Sequence, residues 1–397
     1  RVPVDVAFTT DAAPFGDTDL LTLLPLQGTP MRPHTAYAAV ITRALLDFRG
    51  EPFGHSPVLD APGLPPGYSA ALSALQDLGT PAVDVAGLAA FTTQDPEAEL
   101  RAVLADVRTR PTPLVGGFGP TDEYPTFCTF EARVELPVYQ QGVPPFETDG
   151  GTFVWADGAP VLQGGEAARV VLTVPRGDPP PVGWPVAYFV RTGGGGDVPL
   201  VHRGVRDGDG IAEPGTGYAA DFAAVGFAGL SIDGPHGGLR NVTGRDEQFL
   251  MFNISNPGAM RDNVRQSALE LALVPDLIDG LEVPGCGGAT STFDTAHLAL
   301  FGHSMGATIG PLTLALEPRF GAAVFSGGGG SWIHNVVHKQ SPLDVRPLAE
   351  AMLHYAEWGR SLSQEDPVLS LLQWTGESAD PPAWAASIRA HGTHILM

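Results

Sequence analysis

The most informative segment of the chain is Leu298-Ala299-Leu300-Phe301-Gly302-His303-Ser304-Met305-Gly306-Ala307. An apolar run comes first, a Gly-x-Ser-x-Gly pattern follows, and small residues then lead into a second apolar segment. This order is typical of a buried strand, a sharp turn and a helix, and the turn exposes the serine hydroxyl. We therefore expect Ser304 to be a nucleophile, with Gly302, His303 and Gly306 forming the turn around it.

The sequence around the pattern gives it its weight. In a chain with 50 glycines, random order alone would produce about 0.25 copies of Gly-x-Ser-x-Gly. The strand signal before it and the helical segment after it disfavour the alternative, an inert serine in a glycine turn. Pro311 argues against a regular helix after the turn, because a proline inside the helix should kink or shorten it.

Composition limits the class of protein. Of the 397 residues, 43% are apolar and 17% are charged, which is typical of a globular chain. The formal net charge of −22 repels phosphate backbones, so nucleic acid is not an expected partner. The longest uncharged stretch, residues 295–316, is interrupted by histidine, glycine and proline, so we expect no transmembrane helix.

The cysteine count and the first residue bear on location. Cys128 and Cys286 are the only cysteines, too few for a disulfide framework or a four-cysteine zinc site. One disulfide between them and two free thiols both remain open. The chain starts at Arg1 without a leader, so we expect a removed leader and a secreted, periplasmic or cell-surface protein, with lipoprotein attachment as one form. No cofactor and no metal are expected.

Two rhythms of apolar residues divide the chain. Residues 35–42 alternate as in a half-buried strand. A helix should follow Asp95 and Pro96, with Leu100, Val103, Leu104 and Val107 on one face. Beyond the proline-rich residues 110–113, short apolar runs alternate with helical segments, which predicts a mostly parallel sheet. The predicted fold class is therefore α/β, with a smaller β-rich, sandwich-like domain at 1–112 and a catalytic domain at 113–397.

Several motifs together carry a family resemblance. They are Gly183-Trp184-Pro185-Val186, Ser231-Ile232-Asp233-Gly234-Pro235, Arg261-Asp262-Asn263-Val264-Arg265-Gln266 and the turn at Ser304. The chain from Trp184 onward resembles the α/β-hydrolase superfamily. It is similar to large bacterial secreted or lipoprotein esterases and lipases with an Ig-like β region, for which residues 33–42 are the N-terminal match. The resemblance implies ester hydrolysis through an acyl-serine intermediate, with an acid and a histidine after the serine.

The oxyanion hole is the first place where the chain departs from the family. The backbone N–H of Met305 matches one donor of such a hole. Relatives commonly show a His-Gly pair in the loop that supplies the other donor, whereas this chain has a glycine-rich segment there. Backbone donors need no particular side chain, so Thr192 or Gly193 is the expected second donor, and a flexible connector is the alternative.

The acid and base of a triad are not assigned to residues of this chain. His391 and His394 fall before or within the last expected strand, so a structural role is favoured for both. His334, His338 and His354 fall where a cap or helix is expected. Either the acid and base lie outside this sequence, which we favour, or a non-standard dyad uses a histidine present here.

Other residues are candidates for the pocket. His236 follows a strand at the edge where α/β sheets bind ligands, and Trp332 follows a run of glycines. Residues 234–263 are expected to cap the pocket, with the apolar Phe249-Leu250-Met251-Phe252 suited to an acyl or aromatic group. The acidic segment 207–213 is similar to a calcium loop, but a solvated turn is favoured.

The leading hypothesis is a serine esterase or lipase acting on small-molecule or polymeric esters, including polyesters. An amidase or peptidase would use the same turn. The alternative from another class is a non-catalytic binding or adhesion protein with this fold, because no triad partners are assigned.

Overall fold

A computed structural model of the chain describes residues 1–111, 113, 115–193, 196–287 and 290–397. Within these residues the chain divides into two units, Arg1–Pro96 and Glu97–Met397.

The first unit consists of two antiparallel strand pairs and one long helix. Strand β1 pairs with β2 and strand β3 with β4, and helix α1 contacts β3 and β4. Their bounds are β1 Val4–Asp11, β2 Thr18–Pro25, β3 Ala36–Thr42, α1 Pro66–Asp77 and β4 Val85–Thr92. The unit is therefore β-rich as predicted, whereas an Ig-like arrangement of its strands stays a prediction.

The boundary between the units differs from the predicted one after residue 112. Helix α2, Ala98–Arg108, follows Pro96 as expected. Its face of Leu100, Val103, Leu104 and Val107 is buried in the core of the second unit. The proline-rich segment was a local signal, but burial of this apolar face assigns the helix to the second unit.

A mixed sheet of nine strands organises the second unit. The strand order is β15-β14-β13-β10-β11-β9-β6-β5, and β12 pairs with β13. Strands β11, β10, β13, β14 and β15 run parallel, whereas β9, β6 and β5 continue the sheet in antiparallel pairs. The bounds are β5 Gly119–Glu123, β6 Phe127–Val138, β9 Gly164–Pro175, β10 Trp184–Val190, β11 Ala228–Ile232, β12 Glu282–Pro284, β13 Thr290–His303, β14 Phe320–Ser326 and β15 His394–Leu396. A separate ribbon pairs β7 Trp155–Ala156 with β8 Ala159–Pro160.

Helices follow the parallel strands, which confirms the α/β class. They are α3 Pro199–His202, α4 Tyr218–Ala224, α5 Glu247–Met251, α6 Pro257–Leu271, α7 Val274–Ile278, α8 Met305–Leu316, α9 Trp332–His338, α10 Val345–Met352, α11 Pro367–Gly376 and α12 Ala385–His391. Helix α8 continues through Pro311 to Leu316, so the proline does not terminate the helix. None of the helices described is long and apolar enough to span a membrane.

Helix α6 carries the Arg261-to-Gln266 motif and is buried along most of its length. The Asp262 carboxylate accepts hydrogen bonds from Arg265 at 2.7 Å and from the backbone N–H of Phe153 at 3.0 Å. The Asn263 amide donates to the carbonyls of Leu250 and Met251 at the end of α5. The motif therefore fixes α6 against the segments that surround the carboxyl edge of the sheet.

One disulfide joins Cys128 to Cys286, whose Cα atoms are 5.4 Å apart. Cys128 lies on β6, and Cys286 lies between β12 and β13. The alternative of two free thiols is thereby excluded.

Candidate active site

Ser304 lies at the turn between β13 and α8, in the middle of the parallel part of the sheet. Its φ is +52° and its ψ is −114°, a conformation that L-residues rarely adopt and that clusters at functional sites. The Ser304 N–H donates to the carbonyl of Ser326 at the end of β14, at 2.9 Å. Its side chain is half-buried. The serine thus occupies the position predicted from the strand, turn and helix pattern.

The two glycines of the turn are required by close backbone contacts. A Cβ atom at Gly302 would lie 2.4 Å from the carbonyl oxygen of Gly306. A Cβ atom at Gly306 would lie 2.8 Å from the carbonyl oxygen of Val190 on β10. Real carbon atoms do not approach oxygen so closely, so only glycine fits either position without a backbone shift. The glycines therefore let the turn pack directly on the neighbouring strand.

His303, between Gly302 and Ser304, lies beside the loop after β14. A Cβ atom built at Gly327 would lie 3.6 Å from its ring. Burial, and to a lesser extent the charge of Arg203, lowers the pKa of His303. A neutral imidazole is therefore favoured next to the serine near neutral pH.

Three backbone N–H groups are candidates for an oxyanion hole. Met305 is the first residue of α8, so its N–H has no acceptor within the helix. Outside the regular helices and strands, no described backbone carbonyl accepts a hydrogen bond from the N–H of Thr192 or Gly193. Thr192 is fully buried, whereas Gly193 is half-buried, so Gly193 is the more accessible of the two.

A cavity lies between the carboxyl ends of β10 and β11 and helices α5, α6 and α8. Its walls are mostly apolar, with a few polar groups. They include Tyr188, Val190, Arg191, Ile232, Gly234, Pro235, Gly237, Glu247, Met251, Ser267, Glu270, Leu271, Met305 and Ile309. Met305 is the one candidate donor among these wall residues, whereas Ser304, Thr192 and Gly193 are not among them.

His236 and Trp332, predicted for the pocket, do not line this cavity. The His236 ring packs against Phe146, and its Nε2 lies 3.2 Å from Oδ1 of Asn263. Burial lowers its pKa. The indole N–H of Trp332 donates to the carbonyl of Gly376 at 2.9 Å. Both side chains are buried in packed surroundings, while Pro235 and Gly237, the neighbours of His236, line the cavity.

The predicted cap segment contributes only part of its apolar residues to the cavity. Met251 lines it and Leu250 is buried, whereas Phe249 is largely exposed. Phe252 lies 6.0 Å from the ring of Trp332. The four apolar residues therefore face different surroundings, as expected for a short helix rather than a flat patch.

No described histidine is hydrogen-bonded to the Ser304 hydroxyl. His391 contacts the carbonyl of Leu314 at 2.9 Å, which is a structural role. His354 pairs with Glu357 at the surface. The rings of His334 and His338 contact each other edge to face on α9. His394 lies on β15. The base and acid of a triad thus remain unassigned in the described residues.

The acidic segment 207–213 forms a surface turn. The Asp207 carboxylate accepts from the N–H groups of Asp209 and Ile211 at 3.0 and 2.8 Å. In the part of the chain that the structure describes, no group of three or more potential ligands could hold a metal ion. The hydrogen bonds to Asp207 support the favoured interpretation of this segment as a solvated turn.

Sequence reasoning missed Asp380, which fixes the loop beside the serine. Four glycines, 327–330, follow β14, and the N–H of Ser331 at their end donates to both Asp380 oxygens, at 2.8 and 3.0 Å. Gln373 also donates to this carboxylate, at 2.7 Å. No sequence signal links positions 331, 373 and 380, because the contact depends on how α11 packs.

Asp380 makes stability depend on pH. Burial raises its pKa to about 6, so the folded state favours the protonated form more than the unfolded state does, where the pKa is about 3.9. The stabilisation is therefore present below about pH 4 and is lost as the pH rises through 6. Between pH 4 and pH 7 the free energy of unfolding should therefore fall in the wild type by on the order of 2 kcal/mol more than in the Asp380→Asn variant. Urea unfolding at both pH values measures this difference. Equal losses in both proteins would contradict this assignment.

The strand order, the parallel strand pairs around β13 and the serine at the strand-to-helix turn define an α/β-hydrolase fold. Among solved structures, the chain is similar to an acetyl xylan esterase from Paenibacillus sp. R4, with 13% identity, 76% of this chain and 87% of that chain covered, and a TM-score of 0.40. It is also similar to acetyl xylan esterase 1 from Thermoanaerobacterium sp. JW/SL YS485, with 11% identity, 76% and 85% coverage and a TM-score of 0.41.

A glucuronoyl esterase from Teredinibacter turnerae T7901 is a further similar structure, with 13% identity, 71% and 59% coverage and a TM-score of 0.33. No family model matches the chain, and no curated protein matches it.

Proposed function

We propose that the chain is a serine carboxylic-ester hydrolase, an esterase or lipase, with Ser304 as its nucleophile. The observation that carries the proposal is the backbone conformation of Ser304 at the end of β13, with a positive φ and a half-buried side chain. Such strain persists only where the surrounding structure enforces it. Here the Ser326 carbonyl and the two glycines of the turn hold the residue in place.

In the proposed reaction, a base takes the Ser304 proton as Oγ attacks the carbonyl carbon of the ester. The charge that forms on the carbonyl oxygen is stabilised by the N–H of Met305 and a second N–H from Gly193 or Thr192. The alcohol leaves with a proton, and water then hydrolyses the acyl-serine. The base and acid are not assigned to residues.

We place the acyl group of the substrate in the cavity beside Met305. Its apolar wall residues, among them Val190, Ile232, Met251 and Ile309, support an apolar acyl group, while Arg191, Glu247 and Glu270 form a charged part of the same wall. The alcohol portion, whether small or part of a polymer, is left open by this placement.

The proposal is tested by labelling the intact protein, expressed from its full gene, with a fluorophosphonate, which reacts with activated serines. We expect one adduct per chain, located on Ser304 by peptide mass spectrometry. Peptides that contain Ser326 and Ser331 serve as internal controls, because neither serine lies at the turn. An intact, folded protein without an adduct would contradict the proposal.

A second candidate is a non-catalytic binding protein with this fold. It is favoured by one observation, that no described histidine contacts the Ser304 hydroxyl. The labelling experiment separates the two candidates, because an unactivated serine does not react.

We also propose that the protein is secreted, periplasmic or on the cell surface. The Cys128–Cys286 disulfide supports this location, because disulfides persist in oxidising compartments. Lipoprotein attachment stays a prediction.

A further inference from the structure

We propose that Arg191 is a positioning residue that sets the second oxyanion donor, an inference that rests on the proposed function. Arg191 directly follows β10 and precedes Thr192 and Gly193. Its side chain is only 6% exposed, so its charge must be satisfied by nearby acceptors.

The Arg191 guanidinium joins three separate segments of the chain. It donates to both carboxylate oxygens of Glu247, the first residue of α5, with Nε 2.9 Å from Oε2. It donates through Nη2 to the carbonyl of Gly196 at 2.9 Å. Its Nη1 lies 3.4 Å from Oδ1 of Asp233, just after β11. One side chain therefore fixes the backbone at residues 191 and 196, on both sides of Thr192 and Gly193, which we call the donor segment.

Helix α5, which Arg191 fixes through Glu247, also contacts the donor segment directly. A Cβ atom at Gly193 would lie 2.2 Å from Cγ of Gln248. The Glu247 carboxylate accepts in addition from the N–H of Gly238, at 3.1 Å. Gly193 is therefore packed on a helix whose position depends on the Arg191–Glu247 pair.

In this proposal the contacts of Arg191 hold the backbone donor in place, although the chain lacks the His-Gly pair at this point. A backbone donor stabilises an oxyanion only if it is already aimed at the place where the charge forms. A displacement of the donor by about 1 Å can lower the rate on the order of 10²-fold. A bidentate guanidinium holds such a position more rigidly than a lysine ammonium, which is a flexible point charge.

Arg169 provides a matched control. It is 7% exposed and shares Asp233 with Arg191, with its Nε 3.2 Å from the carboxylate. Its other acidic partners are Asp197 and the more distant Glu131. The Arg169→Lys variant thus perturbs the same buried carboxylate as Arg191→Lys, but from the side of β9.

The test measures the rate constant of fluorophosphonate labelling at saturating reagent and the reagent concentration that gives half of it. We expect Arg191→Lys and Glu247→Gln to lower the rate constant about tenfold or more, with the half-saturating concentration unchanged. Arg169→Lys should stay within about twofold of the wild type. A merely structural role would lower the final extent of labelling, because less protein is folded, but not the rate constant.

The outcomes distinguish this inference from the proposed function. If the wild type is not labelled at Ser304, the proposed function fails and this inference fails with it. If the wild type is labelled and Arg191→Lys reacts at the same rate constant, only the role of Arg191 is overturned. An equal loss in Arg169→Lys would overturn it as well. Should Arg191→Lys not fold, Glu247→Gln decides, because its side chain has the same shape as the wild type's.

Discussion

Replacing Ser304 by alanine is expected to reduce hydrolysis of p-nitrophenyl acetate by the intact protein to the rate in buffer. Without the hydroxyl no acyl-enzyme can form, and loss of the nucleophile in serine hydrolases costs on the order of 10⁶-fold in kcat. The fold should persist, because the Ser304 contact to Ser326 is made by backbone atoms. Initial rates and a circular dichroism spectrum of both proteins check the two expectations.

Ser326→Ala is the matched control for this substitution. It removes a serine hydroxyl at the end of β14 but keeps the Ser326 carbonyl, which accepts the Ser304 N–H. Its activity should equal that of the wild type. Activity that survives in Ser304→Ala would remove Ser304 from the mechanism, whereas equal losses in both variants would indicate damage to the turn.

Replacing Asp262 by asparagine is expected to lower the free energy of unfolding by about 3–5 kcal/mol. The side chains of Asp262 and Arg265 are both 0% exposed, and the oxygen and nitrogen that pair are 2.7 Å apart. The substitution keeps the shape of residue 262 but removes its charge. Arg265 then remains buried with Glu99 as its other acidic partner, and a buried charge that loses its partner is strongly destabilising.

Urea unfolding followed by tryptophan fluorescence measures this loss, with Glu99→Gln as the control. Glu99 is 54% exposed and contacts the same guanidinium at 2.8 Å, so its removal should cost less than about 1 kcal/mol. If the two variants lost equal stability, burial would not be the reason for the effect.

The local pattern of the sequence was sufficient to predict the element that carries Ser304. An apolar run, two glycines and a following apolar segment specify strand, turn and helix with little help from the rest of the chain. The buried face of α2 was predicted for the same reason, since Leu100, Val103, Leu104 and Val107 recur at helical spacing.

Features that depend on distant contacts could not be predicted. The Arg191–Glu247 pair joins positions 56 residues apart, and Asp380 reaches Ser331 across 49. His236 follows a strand at the expected edge, but its positive φ and its packing against Phe146 keep its side chain out of the cavity wall. Periodicity identifies the edge of a sheet, whereas the direction of a side chain on a loop depends on its tertiary neighbours.

The disulfide has a practical consequence for producing the protein. It closes a covalent ring over a sequence separation of 158 residues, which includes β9, β10, β11 and β12 of the large sheet. In the reduced chain this long segment is free, and the unfolded ensemble gains conformational entropy. A host that exports the polypeptide to an oxidising compartment should therefore yield more native protein than one that retains it among glutathione and thioredoxin.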